Sequence, residues 1–285
     1  MENYNHNCLV FATHKLDEGI LDYLSNLKKE VEGVMDLLIL YDRSNSPIKR
    51  EDHPEYNFYF FDSTGLKGFF HQNERLLPNT FVALAECAKQ YRYDHYLLME
   101  NDIVLHGDFH RFVQRVNAED AVDYIHIATD VEGSPQKHWP VRYIQACPFE
   151  HLYFSWCHIL YVSHGFLTDV AEFMARNDSV YYEFLLPTMA YNGNYLVRQF
   201  ENFGYRFQVS WGPAELYESK YMDERMPDTF YHPVKDLDVC RYLARNRTER
   251  DATDLGVERT PRTSETASGR TVENQIGRAS CRERV

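Results

Sequence analysis

The chain has 285 residues and a formal net charge of -13, and 15% of it is Phe, Trp or Tyr. That length supports one large domain or two small ones, and the acidic balance argues against general nucleic-acid binding, which rests on clustered Lys and Arg. No stretch reaches the roughly 20 apolar residues of a membrane-spanning helix, and the opening MENYNHNCLVFATHK lacks the basic and apolar regions of a secretory signal, so the expected location is cytoplasmic.

Two periods alternate over the first 245 residues. CLVFATH (8–14) is a short apolar run suited to a buried strand. DEGILDYLSNLKKEV (17–31) carries Ile20, Leu21, Leu24, Leu27 and Val31 on one helical face, with Asp17 as N-cap and Lys28 and Lys29 in the last turn. DLLILYD (36–42) and YNFYFFDS (56–63) read as strands, and PNTFVALAECAKQY (78–91) as a helix with Pro78 near its start. DHYLLMENDIVLHG (94–107) reads as a fourth strand with Glu100-Asn101-Asp102 set inside it. Strands are expected at 123–129 and 158–163, helices at 165–176 and 188–203, and a last strand at 205–210. Such alternation predicts an α/β domain with a mostly parallel, twisted sheet covered by helices on both faces.

The six cysteines show no C-x-x-C spacing, and Cys8, Cys87 and Cys157 lie in apolar runs, as small buried thiols kept reduced would. After Tyr242 the chain has no aromatic residue, and 246–275 is rich in Arg, Thr, Glu and Ser, a composition that predicts disorder. Residues 276–285, IGRASCRERV, resemble a translated sequencing adapter. They are expected to be non-native, Cys281 included.

In parallel sheets ligands bind beyond the carboxyl ends of the strands. The predicted strands end in Thr13-His14, in Asp42-Arg43-Ser44, in Asp62-Ser63-Thr64 and in Glu100-Asn101-Asp102, so polar and acidic residues converge on one edge. Glu100 and Asp102, at i and i+2, would point to one side of an extended strand end. Two carboxylates there suit a hard divalent cation such as Mg2+ or Mn2+. The alternative is one acid capping a turn and the other solvated.

YDHYLLMENDIVLHGDF (93–109) resembles the acidic D-x-D segment of the GT-A superfamily of nucleotide-sugar glycosyltransferases. The resemblance covers roughly 7–236 and implies one GT-A-like domain over 1–245, with a nucleotide-binding half (1–107) and an acceptor half (108–245). It implies Asp102 as ligand of Mn2+ or Mg2+, with Glu100, longer than the usual Asp, and Asn101 facing the nucleotide-sugar donor. Thr13, His14 and Asp42 stand where such enzymes hold the nucleoside. Glu183, in YYEFLLPTMAY, matches the carboxylate that activates the acceptor, with Asp178 and Glu172 as competitors. His232, in FYHPVK, matches a late histidine that reaches back to the metal, and Lys235 would meet a phosphate oxygen. Trp156, in FSWCHILYVSHG, would line the donor-sugar pocket or else edge a core strand. The implied reaction moves a sugar from a UDP- or GDP-sugar to a hydroxyl of a glycan acceptor.

Three rivals stand beside it. YFFDSTG superficially resembles the strand-borne Asp of haloacid-dehalogenase-like phosphatases, but Thr64 stands where that motif needs a second acid. A nucleotidyltransferase would want a Gly-rich basic loop after the first strand, and FATHKLDEG has none. A non-catalytic sugar-nucleotide-binding or scaffold protein of the same fold is the third.

Overall fold

A computed structural model describes residues 6–44, 47–64, 71–72, 75–76, 80–128, 149, 151–176, 182–209 and 227–234. All of them lie in the unit Met1–Thr248, and the tail expected over 246–285 lies outside the described residues.

In chain order the elements are β1 (Asn7–Thr13), α1 (Glu18–Val31), β2 (Asp36–Asp42), β3 (Asn57–Phe61), the two-residue strands β4 (His71–Gln72) and β5 (Arg75–Leu76), and α2 (Thr80–Ala88). Next come β6 (His95–Glu100), β7 (Val104–His106), α3 (Phe109–Asn117), β8 (Tyr124–His126), β9 (Ile159–Ser163) and α4 (His164–Arg176). The last are α5 (Tyr182–Asn192), β10 (Val197–Gln199), β11 (Arg206–Val209) and β12 (Thr229–His232). The expected α/β class is the observed one. Seven strands form a sheet in the order β10-β8-β9-β6-β1-β2-β3. Every neighbour pairs in parallel except at β9, which runs against both β6 and β8.

The alternation of side chains along β1 explains the two-layer cover. Cys8, Val10 and Ala12 join a core with Phe81 and Leu84 of α2, Phe166 and Val170 of α4, and Leu186 of α5. Leu9 and Phe11, on the opposite face, join Leu24 and Leu27 of α1 and Phe112 and Val116 of α3. A strand buried on both faces reads as a continuous apolar run, which is why β1, β2 and β6 were legible. Asp17 caps α1 by accepting from the Ile20 N–H at 3.0 Å. Cys8, Cys87 and Cys157 are buried free thiols.

Several expectations need correction. The stretch 94–107 is two strands, not one. β6 ends at Glu100, and a turn over Asn101 and Asp102, closed by Ile103 N–H to the Glu100 carbonyl at 3.3 Å, sends β7 into a separate sheet of order β11-β12-β7. Asn and Asp favour such turns because their side chains compete with the ladder. The helix expected at 188–203 starts and stops earlier, at Tyr182 and Asn192. Gly193 follows, where a Cβ would lie 2.6 Å from the Tyr195 ring and 2.8 Å from the Met189 carbonyl. Next come β10 and a 3-10 turn, Phe200–Phe203, closed by Gly204 at φ 87. The expected last strand is followed by β12, so His232 ends a strand instead of sitting beyond one. Helix α2 is shorter than 78–91, and Pro78 lies outside the described residues. Helix α3 was passed over, although Phe109, Phe112, Val113 and Val116 carry helical spacing behind the N-cap Asp108.

Candidate active site

From β1 the sheet runs one way to β2 and β3 and the other way to β6, so the strand order reverses between β1 and β6. At such a switch point the two carboxyl ends part and leave a crevice. A cleft of about 420 Å³ lies there, lined by Ala12, Thr13, His14, Asp42, Phe61, Ser63, Thr80, Glu100, Asn101 and Asp102. The register explains the gathering, since Ala12 pairs with Glu100 and Asp42 with Phe61. Six residues singled out in the sequence thus meet at one opening: Thr13, His14, Asp42, Glu100, Asn101 and Asp102.

Local hydrogen bonds hold the rim. The Thr13 hydroxyl donates to the Lys15 carbonyl at 2.8 Å and turns the chain out of β1. Asp42 Oδ1 accepts from Ser44 N–H at 3.0 Å, from the Ser44 hydroxyl at 2.7 Å and from Ser63 N–H at 3.2 Å, joining the ends of β2 and β3. Burial raises the Asp42 pKa, but these donors outweigh it and hold the carboxyl below its usual range. The side chain of His14 is exposed.

Behind the acidic turn lies a compact polar cluster. His232 Nε2 is 3.3 Å from Asp102 Oδ1 and 3.5 Å from Glu100 Oε2. His158 Nδ1 donates to the same Glu100 Oε2 at 2.9 Å. The Val234 N–H donates to the Asp102 carbonyl at 2.7 Å, which ties the end of β12 to the turn. Burial would raise the Glu100 pKa, but His158 and His232 together hold it well below the carboxylate range. Burial would lower the His232 pKa, but Asp102 and Glu100 outweigh it and raise it to about 9. Without a cation, His232 therefore carries positive charge at neutral pH.

The donor set fits a divalent cation. One donor atom of each of Glu100, His158 and His232 lies within 4.8 Å of the other two. Ligands about 2.1 Å from an ion and at right angles are about 3 Å apart, close to the spacing of His232 from Asp102. An imidazole binds a metal in its own plane. The His158 and His232 rings stack at 3.5 Å between centroids and 16° between planes, so one ion cannot lie in both planes. The arrangement offers one imidazole, His232, with Asp102. Among the described lining residues the cleft has three carboxylates and no Lys or Arg. An anionic ligand there needs a cation beside it.

No protein-family model matches the chain, and no curated protein matches it either. Among solved structures it is similar to the mannosyltransferase PcManGT from Pyrobaculum calidifontis in complex with GDP-Man and Mn2+ (11% identity, 91% of this chain, 67% of that chain, TM-score 0.42). It is similar also to the galactosyltransferase LgtC in complex with donor and acceptor sugar analogs (14% identity, 85% of this chain, 96% of that chain, TM-score 0.44). A third is a putative glucose-1-phosphate thymidylyltransferase from Bacillus anthracis in complex with a sucrose (11% identity, 68% of this chain, 85% of that chain, TM-score 0.41).

The other residues singled out lie elsewhere. Glu183, in the first turn of α5, is 2% exposed and is not among the cleft's lining. Its carbonyl accepts from Ser155 N–H at 2.9 Å. Pro187, four residues on in α5, has no N–H to occupy that carbonyl. Trp156 is half-buried, stacked on His158 at 5.5 Å and edge-on to Phe154 at 5.2 Å. Lys235 lies outside the described residues. Sequence reading missed His158. Its one signal was its place at the start of the apolar run HILYVS, where strand pairing can set a side chain beside another strand's polar end.

Proposed function

We propose that the protein is a metal-dependent glycosyltransferase that moves a hexose from a UDP- or GDP-sugar to a hydroxyl of a glycan acceptor. One observation carries this reading. The cleft at the switch point gathers Thr13, His14, Asp42, Glu100, Asn101 and Asp102, and β12 brings His232 to within 3.3 Å of Asp102. A Mn2+ or Mg2+ ion held by Asp102 and His232 would supply Lewis-acid neutralisation of the diphosphate leaving group. Thr13, His14 and Asp42 would seat the nucleoside, with Glu100 and Asn101 facing the donor and Trp156 and Lys235 at the sugar and phosphate. If configuration inverts, Glu183 would take the proton from the acceptor hydroxyl as it attacks. A retaining transfer needs no such base.

Calorimetric titration of the full chain with UDP, GDP, CDP and ADP, with and without Mn2+, tests the donor half. Micromolar, metal-dependent binding of one nucleotide is the expected result, and no binding by folded protein would overturn the reading. Glu183→Gln should abolish transfer and keep donor binding, whereas parental transfer rates would remove Glu183 as base.

A second reading, sugar-nucleotide binding without transfer, is favoured by the burial of Glu183 away from the cleft's lining. Tight donor binding with no sugar released to any acceptor or to water would select it.

A further inference from the structure

The acidic turn is backed by a residue that no motif in the sequence marks. His158 immediately precedes β9, whose antiparallel pairing matches Met99 with Ile159 and so sets His158 beside Glu100. Two bonds fix that pairing: Glu100 N–H donates to the His158 carbonyl at 2.9 Å, and His158 Nδ1 donates to Glu100 Oε2 at 2.9 Å. Because a carboxylate oxygen only accepts, the proton sits on Nδ1 of this ring. The ring stacks with Trp156 at 5.5 Å and with His232 at 3.5 Å between centroids. His158 Nε2 is buried and has no hydrogen-bond partner among the described residues. The ring is not among those lining the cleft.

From this geometry we infer that His158 is a positioning residue for the cation site: its Nδ1–H holds from behind the Glu100 carboxylate, whose Oε2 lies 3.5 Å from His232 Nε2. The inference rests on the metal-dependent reading above and adds to it a residue that touches neither ion nor donor. Metal-binding side chains keep their orientation through hydrogen bonds from a second layer of residues, and losing such a partner weakens metal affinity roughly 10- to 100-fold. The alternative, that His158 is itself a ligand, fails on the parallel stack, since an ion in the plane of His232 lies off the plane of His158. The chain thus holds two histidines at one carboxylate with separate duties, His232 toward the ion and His158 toward Glu100.

The test compares two amides of similar chemistry in the full chain. Asn places its side-chain NH2 near the position of Nδ1, and Gln places its own near Nε2. Mn2+ binding, followed by the free-ion EPR signal with no nucleotide present, is measured for the parent, His158→Asn and His158→Gln, with a thermal melt of each metal-free protein. His158→Asn should keep affinity within a few-fold of the parent, and His158→Gln should lose roughly 10- to 100-fold. His158→Phe, which keeps a ring in the stack and drops the donor, should lose affinity like the Gln variant. A purely structural role predicts something different: melting temperatures that fall while Mn2+ affinity of the folded protein stays at the parental value, and that result overturns the inference. Equal losses in the Asn and Gln variants overturn it too. If the parent itself binds no Mn2+, the metal-dependent reading falls and this inference with it. A parent that binds while the variants match it sinks the inference alone.

Discussion

His232 and His126 each close a strand, β12 and β8, and both are nearly buried, at 7% and 1% exposure. Yet the two are held in opposite charge states. His232 faces two carboxylates, which raise its pKa to about 9 against the cost of burial. His126 faces neutral groups: the Ser155 hydroxyl at 3.0 Å, the Tyr191 hydroxyl at 2.9 Å and the Ile127 carbonyl at 2.9 Å. Burial lowers its pKa to about 4, and the single carbonyl does not offset it. The partner, and not the depth, decides whether a buried imidazole is a cation. A neutral ring with satisfied nitrogens is a structural strut, whereas the His232 ring is held as a cation beside two carboxylates.

That contrast breaks most directly at Asp102. Asp102→Asn should lower Mn2+-dependent transfer on the order of a hundredfold to a thousandfold while the circular dichroism spectrum stays unchanged. Parental activity in that variant would show that the acidic turn is only a polar strand end.

The acid limb of stability tests His126. Its folded pKa is depressed, so its contribution is present above the unfolded value of about 6.5 and is lost as pH falls toward 4. Urea unfolding should show about 3 kcal/mol lost across that interval from this one group. His126→Gln should flatten that part of the profile. An unchanged slope would mean that the ring is already protonated in the folded protein.

The alkaline limb tests His232 in metal-free protein. Its folded pKa is raised, so its contribution is complete below about pH 6.5 and is lost as pH rises through 9. The expected loss is on the order of 2–3 kcal/mol. It should be absent in His232→Gln, and a parent whose stability is flat from pH 7 to about 9 would contradict the ion pairs.

The smallest effect is expected at Ser155. Ser155→Ala removes one hydroxyl from His126 and leaves the Ile127 carbonyl and the Tyr191 hydroxyl in place, so it should cost about 1 kcal/mol by urea midpoint. A loss several times larger would show that the neutral network acts as a unit.

Much of this was legible in the chain. β1, β2 and β6 are continuous apolar runs because both faces of the sheet are covered. The helical spacing of α1, its cap Asp17 and the polar residues at the strand ends pointed to one edge. What failed was context. Nothing local tells that 94–107 leaves one sheet for another, because Ile103, Val104 and Leu105 are as apolar as the residues before the turn. The span 188–203 held enough apolar residues to pass for a helix, while Gly193 ends the real one.

By itself, then, the sequence determined the α/β alternation, the two-faced burial of the central strands and the meeting of acids and hydroxyls at their carboxyl ends, since these follow from side-chain period and strand direction. Only the tertiary structure decided that β9 runs antiparallel and sets His158 against Glu100. It also decided that β12 joins β7 and carries His232 to Asp102, and that Glu183 is buried in α5. Strand pairing between distant segments decides these contacts, and pairing partners are chosen by the whole core and not by any short stretch of residues.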